Sequence, residues 1–216
     1  WSCYLSTFLT RRKFVTTFHG TYNFKNKLKK FYNSVMVRSK LTIAGSNFIF
    51  DHINEHYENY LNSKKKLLVI FRGINLNYYN PKSISDINLL KLRRDWKVED
   101  DKFKILLPGR LTNWKGQLNF IEALNILIED YKNDNFQAFI LGSDQGRNVY
   151  KKKLQSLIDR YNLGKKINFI DHCKEMPLAY AISDVVISSS IEPEAFGRVS
   201  VEAQAMQKPI IATNLG

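Results

Sequence analysis

Acidic residues, cysteines and long apolar runs are all scarce in this chain, and each shortage excludes something. No apolar run approaches the ~20 residues that a membrane-crossing helix needs, so the sequence contains no such span. Only two cysteines occur, Cys3 and Cys173, without a metal-type spacing. They exclude a disulfide framework and predict free thiols in a reducing compartment, a single Cys3–Cys173 bridge being the alternative. Twenty Asp plus Glu against 33 Lys plus Arg leave a formal net charge of +13. That excess suits polyanionic partners, whether nucleic acid, anionic lipid or phosphorylated substrates, and does not choose among them. Apolar material is ample: 44% of the 216 residues are hydrophobic, enough for one large domain or parts of two.

Apolar runs and helical periodicities alternate along the chain. Strands are expected at Lys13–Phe18, Leu41–Ala44 and Lys66–Phe71. Between them, Phe24, Leu28, Phe31 and Val35 recur at three- and four-residue steps and predict an amphipathic helix over Asn23–Ser39. A second helix runs from a cap at Ser46 or Asn47 to about Tyr60. The pattern loosens over 75–101, with a short helix expected near Leu89–Trp96. A further series follows, with strands near Phe103–Leu107, Phe136–Leu141, Ile167–Ile170, Asp184–Ser188 and Pro209–Thr213. Helices fit Gly116–Tyr131, Arg147–Tyr161, Pro177–Ile182 and Gly197–Met206. Strands alternating with helices predict α/β architecture: parallel sheets covered on both faces, with ligands at the C-terminal strand ends. The chain begins at Trp1 and stops just after a strand-like run, so both ends read as cut and the expectation is an internal fragment.

Two stretches carry chemistry. Glu194-Ala-Phe-Gly-Arg-Val-Ser-Val-Glu202 follows a strand and opens a helix near Gly197. Amides at a helix N-terminus form a ready anion site. At roughly 1.5 Å per residue, Glu202 lies several ångströms down that helix. One carboxylate on each side of a phosphate pocket suits a nucleoside diphosphate-sugar, with Glu194 beside the sugar and Glu202 beside the ribose. The second stretch, Pro108-Gly-Arg-Leu-Thr-Asn-Trp-Lys-Gly116, puts Arg110 and Lys115 in the loop between a strand and the next helix. There Arg offers a bidentate fork and Lys a point charge for a diphosphate. As a lone loop pair they would be solvated surface cations, but they share a sheet edge with Glu194 and Glu202.

Gly109-Arg110-Leu111 with Lys115-Gly116, followed by Glu194-x7-Glu202 containing Phe196-Gly197, resembles the retaining family 4 glycosyltransferases. Thr17-Phe-His-Gly20, Ala44–Ile49, Arg72-Gly-Ile-Asn75, Leu141-Gly142 and Pro209–Thr213 extend the resemblance nearly end to end, and its wording is most similar to bacterial envelope-polysaccharide and lipopolysaccharide transferases. The resemblance implies the GT-B fold, two Rossmann-like domains with parallel sheets, both incomplete in this chain. Residues 1–80 would be the C-terminal part of the acceptor domain, 81–101 a linker region, and 102–216 the donor-binding domain, truncated at its end. It implies transfer of a sugar from a nucleotide-diphosphate sugar to a glycan or lipid-linked acceptor, with retention of anomeric configuration. Glu202 would then bind the ribose and Glu194 the donor sugar. Phe196, Gly197, Arg198 and Val199 would bring main-chain amides to the phosphates, and Arg110 and Lys115 would neutralise the departing diphosphate. His19, with Gly20, would reach the cleft near the donor sugar, the alternative being a loop-end histidine satisfied by backbone. Gly142 and the loop after it approach the donor or form a plain turn, and His172–Met176 would face the base. No cofactor and no divalent metal are implied, and no Asp-x-Asp occurs in the chain.

Other signals are read as structural. His52-Ile-Asn-Glu-His56 matches a zinc-peptidase spacing, yet no third ligand is evident and a solvated helix face is expected. Lys25, Lys27, Lys29, Lys30, Arg38 and Lys40 form either a solvated face or a peripheral contact with anionic lipid. The latter suits a cytoplasmic enzyme on the inner face of the plasma membrane. No nucleic-acid-reading motif is found. The rival readings are another nucleotide-sugar enzyme on this fold, of epimerase or phosphorylase type, and a non-catalytic basic binding module.

Overall fold

The computed structural model describes residues 1–22, 24, 26–61, 66–146 and 148–216. The expected helix start at Asn23, the cation Lys25 and the helix start at Arg147 lie outside the described residues. The chain divides into two compact units, 1–73 with 194–196 and 216, and 74–193 with 197–215.

The first unit holds a parallel three-stranded sheet of β1 (Val15–Phe18), β2 (Leu41–Ala44) and β3 (Lys66–Val69), in that order. Helix α1 (Ser2–Leu9) precedes it, α2 (Lys27–Asn33) links β1 to β2, and α3 (Asn47–Tyr57) links β2 to β3. Alternation along the strands decides the two faces. Phe18 and Ala44 join Val37, Ile49, Ile53 and Tyr57 in an apolar core. Thr16, Ser39 and Thr42 are also buried, with Thr16 Oγ1–Ser39 Oγ at 2.7 Å and Ser39 Oγ–Thr42 Oγ1 at 3.0 Å. Ser46 caps α3, its hydroxyl accepting from the Ile49 amide at 3.2 Å and donating to the Ala195 carbonyl at 2.7 Å.

Helix α2 is shorter than its periodicity suggests and buries no residue. Ser34 Oγ donates to the Phe31 carbonyl at 2.6 Å, and such back-bonding competes with the helical ladder. The chain tightens into a 3-10 turn over Ser34–Val37, which delivers Val37 to the core. The His52/His56 pair also differs from the expected solvated face. The two rings meet edge-on at 4.6 Å, His52 packs towards Phe18 and Tyr57, and His56 packs on Phe24.

The second unit is a parallel five-stranded sheet. Its strands are β4 (Phe103–Pro108), β5 (Phe136–Leu141), β6 (Ile167–Ile170), β7 (Val185–Ser188) and β8 (Ile210–Ala212), in the spatial order β6-β5-β4-β7-β8. Helices α5 (Gln117–Glu129) and α6 (Asn148–Arg160) lie on one face, with Ile105, Leu107, Ala138 and Ile140 beneath them. The other face carries α4 (Asp86–Asp95), α7 (Met176–Ile182) and α8 (Arg198–Ala205) over Leu106, Phe139, Leu141 and Val186. Alternate residues of β4 and β5 therefore feed opposite cores, which is why both strands read as nearly continuous apolar runs, broken only by Lys104 and Gln137 at their second positions. Each fully buried side chain of this kind is worth about 1.5–3 kcal/mol. Helix α4 starts three residues before the expected Leu89, because the Ser85 hydroxyl accepts from the Asn88 amide and caps it there.

The order of this sheet fixes where a ligand can sit. From β4 the chain moves outward through β5 to β6, then crosses back to β7 on the other side of β4. The C-terminal ends of β4 and β7 thus flank a topological switch point.

Candidate functional site

The loops after β4, β5 and β6 are held side by side by backbone bonds that extend the sheet. The Gly109 amide donates to the Leu141 carbonyl at 2.8 Å, Gly142 to Ile170 at 2.8 Å, and Leu111 to Ser143 at 3.1 Å. Gly142 sits at φ 154°, and a Cβ there would lie 2.1 Å from the Gly109 carbonyl oxygen, so only glycine admits this approach. After β4 a 3-10 turn over Asn113–Lys115 ends at Gly116, which caps α5 at φ 70°. Ser189, just past β7, locks that turn: its Oγ lies 3.1 Å from the carbonyls of both Lys115 and Gly116. Buried Gln117 fixes the other side of the loop, donating to the Arg110 carbonyl at 2.9 Å and accepting from Tyr150 at 3.2 Å.

These loops and α8 enclose a cavity of about 630 Å³ at the switch point. Arg110, Trp114 and Lys115 line it from the β4 side, Gly142 and Ser143 from β5, and Asp171, His172 and Cys173 from β6. Helix α8 contributes Arg198, Val199 and Glu202, while Tyr79 and Tyr180 form part of the wall. Arg110 is exposed, and the Lys115 ammonium lies 4.3 Å from the centre of the Trp114 ring. The first amides of α8 have no intrahelical carbonyl to bond, so the cavity combines three cations, Arg110, Lys115 and Arg198, with a helix N-terminus.

Glu202 is the unusual member. It is only 5% exposed. Its Oε2 accepts from the Tyr180 hydroxyl at 2.8 Å, and its Oε1 from Arg198 Nη2 at 2.7 Å and Nε at 3.1 Å. Burial pushes the Tyr79 hydroxyl up to about 12, with the Glu202 carboxylate beside it as the next cause. The same two causes push Tyr180 up, so both phenols stay protonated and remain donors. Cys173 is a half-buried free thiol raised by burial, and Cys3 is an exposed one.

Among the residues singled out from sequence, Arg110, Lys115, Gly142, Arg198, Val199 and Glu202 line this one cavity. Gly197 is the N-cap of α8, at φ 71°. Glu194 and Phe196 group with the first unit and are not lining residues of the cavity, and His19 and Gly20 likewise belong to the first unit. There the Arg72 guanidinium meets His19 Nδ1, and desolvation, then the Arg72 charge, hold the imidazole below its usual range. His19 is therefore neutral, accepting at Nδ1 with its proton on Nε2. Gln117, Tyr79 and Tyr180 were not singled out from sequence, and Arg72 entered only as the first residue of the Arg72–Asn75 match. A tyrosine in an otherwise apolar helix such as Pro177–Ile182 was the available signal, since a buried hydroxyl must find a partner. Among the described residues, no group of three or more His, Cys, Asp or Glu could hold a metal ion.

Residues 90–216 match the family described as glycosyl transferases group 1. Over 153 residues the chain is 27% identical to the D-inositol 3-phosphate glycosyltransferase of Corynebacterium glutamicum (strain R), a match over 70% of this chain and 36% of that protein. A glycosyltransferase crystal structure from Rickettsia africae ESF-5 superposes with a TM-score of 0.85 at 40% identity, covering 100% of this chain and 55% of the other. That of Anabaena Alr3699/HepE in complex with UDP-glucose superposes at 0.83 with 26% identity, covering 99% and 57%. The chain thus spans about a third of the length of the curated relative and just over half of the two solved structures.

Proposed function

Because the chain belongs to the glycosyl transferases group 1 family, with an α/β fold of parallel sheets like that of its GT-B neighbours, we propose that it transfers a sugar from a nucleoside diphosphate donor with retention of anomeric configuration. The observation that carries this reading is the cavity that holds Arg110, Lys115 and the α8 N-terminus beside a buried carboxylate, Glu202. Breaking the sugar–phosphate bond leaves negative charge on the diphosphate. Fixed cations and amides where that charge grows stabilise the transition state more than the ground state. Arg110 and Lys115 take this role in place of a divalent ion, and Glu202 accepts bonds from the ribose hydroxyls. The amides at Phe196 to Val199 approach the phosphates, Glu194 contacts the donor sugar, and neutral His19 offers its Nε2 proton to the same sugar, with Gly20 beside it. Crystallised Alr3699/HepE holding UDP-glucose supports a uridine donor as the first to test.

The acceptor is a glycan or lipid-linked sugar in cell-envelope synthesis, met by a cytoplasmic enzyme resting on the inner face of the membrane. Charge supports this: the first fifty residues contain nine Lys or Arg and no Asp or Glu. Lys27 and Lys29 on α2 are exposed. Among the described residues, no helix is long and apolar enough to cross a membrane.

The test is nucleotide release across common nucleotide-sugars by the full chain, Arg110→Ala and Glu202→Ala. Removing one preorganised charge at the leaving group should cost about 10²-fold in rate, and EDTA should leave the parent rate unchanged. Full activity in both variants overturns the site assignment, and abolition by EDTA with rescue by Mg²⁺ overturns the metal-free charge compensation.

A further inference from the structure

We propose that Tyr180 is a positioning residue that fixes the plane of the Glu202 carboxylate, so that its remaining lone pairs meet a vicinal diol, and that Arg198 is its displaceable partner. This rests on the reading that Glu202 faces the ribose. The geometry divides the two anchors by depth. Tyr180 is fully buried in α7 and bonds Oε2 at 2.8 Å. Arg198, one turn before Glu202 on α8, bonds only Oε1, and its side chain is 61% exposed.

A glutamate's terminal torsion is broad and roughly two-fold. The helix therefore places the carboxylate without setting its plane. A carboxylate has about four acceptor positions, of which Tyr180 uses one from beneath. Only the Arg198 end of this ion pair is exposed, so the guanidinium can swing into solvent when a pair of hydroxyls takes over its bonds to the buried carboxylate. The Tyr79 ring packs edge-on against Tyr180 at 6.1 Å, and its own hydroxyl lies by the same carboxylate, which keeps the phenol from turning away.

The experiment is calorimetric binding of UDP, GDP and ADP to the full chain, then of the tightest binder against its 2′,3′-dideoxy analogue. Hydrogen bonds to a charged group predict that the parent protein prefers the diol by about tenfold or more. In Tyr180→Phe this preference should fall to near unity while affinity for the dideoxy nucleotide stays within about twofold, because the diphosphate contacts are untouched. A purely structural tyrosine would weaken both ligands alike or neither. Should Tyr180→Phe fail to fold, Tyr79→Phe removes the hydroxyl beside the same carboxylate while leaving Glu202 and Tyr180 in place, and should lower the diol preference in part with dideoxy affinity unchanged. An unchanged diol preference in the folded variant overturns the positioning role alone. No preference in the parent protein overturns the ribose reading of Glu202, and no binding of any of the three nucleotides overturns the donor site itself.

Discussion

Substituting alanine for Gly116 should cost far more than the backbone angle alone explains. Gly116 ends the turn that carries Lys115 and caps α5, at φ 70°. A Cβ built there lies 1.8 Å from the Ser189 carbonyl oxygen and 2.8 Å from its carbonyl carbon. Neither atom belongs to a side chain that could rotate away. Restoring ordinary contact would move one backbone segment by roughly 1 Å or more. The bonds in the path of that movement are Ser189 Oγ to the carbonyls of Lys115 and Gly116, and the Ile191 amide to the Trp114 carbonyl at 2.8 Å. The two serine contacts share one hydroxyl proton, so at about 1 kcal/mol per bond they and the Ile191 bond add about 2 kcal/mol to the ~1–2 kcal/mol of a left-handed alanine. Gly146 is the control, because it sits at φ 77° with nothing within 4 Å of an added Cβ. Gly146→Ala should therefore lose only the dihedral part. Urea denaturation of both variants at neutral pH, with equal m-values, measures the difference. Equal losses in the two variants would refute the claim that the end of β7 locks the Lys115 turn.

Two further perturbations test other parts of the molecule. Desolvation, then the His56 charge, lowers the His52 pKa, and His19 is lowered as well, so below about pH 6.5 the unfolded chain binds more protons than the folded one. The stability contributed by these neutral rings is complete above that pH and is lost below it, as pH falls towards and through their lowered folded-state values. Urea midpoints at pH 7.5 and 5.5 should show the loss, and His52→Phe should shrink it; an identical loss in that variant rules out His52 as a source. Reversing Lys27 and Lys29 to Glu should weaken binding to vesicles containing phosphatidylserine by at least tenfold, at about 1 kcal/mol per lysine. Cosedimentation with equal affinity for neutral and anionic vesicles, in parent and variant alike, would remove the lipid contact from the proposed function.

Legibility from sequence follows the range of the forces involved. Strands β4 and β5 were readable because both faces are covered and every residue from Phe136 to Leu141 is buried, leaving an apolar run that only Gln137 interrupts. The placing of Arg110 and Lys115 at a ligand edge needed only the rule that loops follow strands. Helix α1 was not anticipated: its N-cap Trp1 makes no side-chain capping bond, the first turn has no acid, and no residue of it is buried. The early end of α2 turned on one hydroxyl, that of Ser34. The groups around Glu202 were invisible for a different reason. Tyr79, Tyr180 and Glu202 come from an approach segment and two separate helices, and no local pattern joins them.

The burial of Glu202 bears on why the fold keeps it. A carboxylate taken out of water and paired inside a protein is commonly no more stabilising than an apolar side chain of similar size. Packing alone thus gives no reason for an acid on the inner face of α8, where Ala203 and Met206 are buried apolar neighbours. Its partners do not form a closed internal pair either, because Arg198 reaches it from the exposed side and the cavity opens beside it. An acid held from below by a phenol, and from above by a solvated guanidinium, is arranged to exchange the upper partner for a ligand with paired donors. The acid that packing does not require is the one that the proposed ribose contact would use.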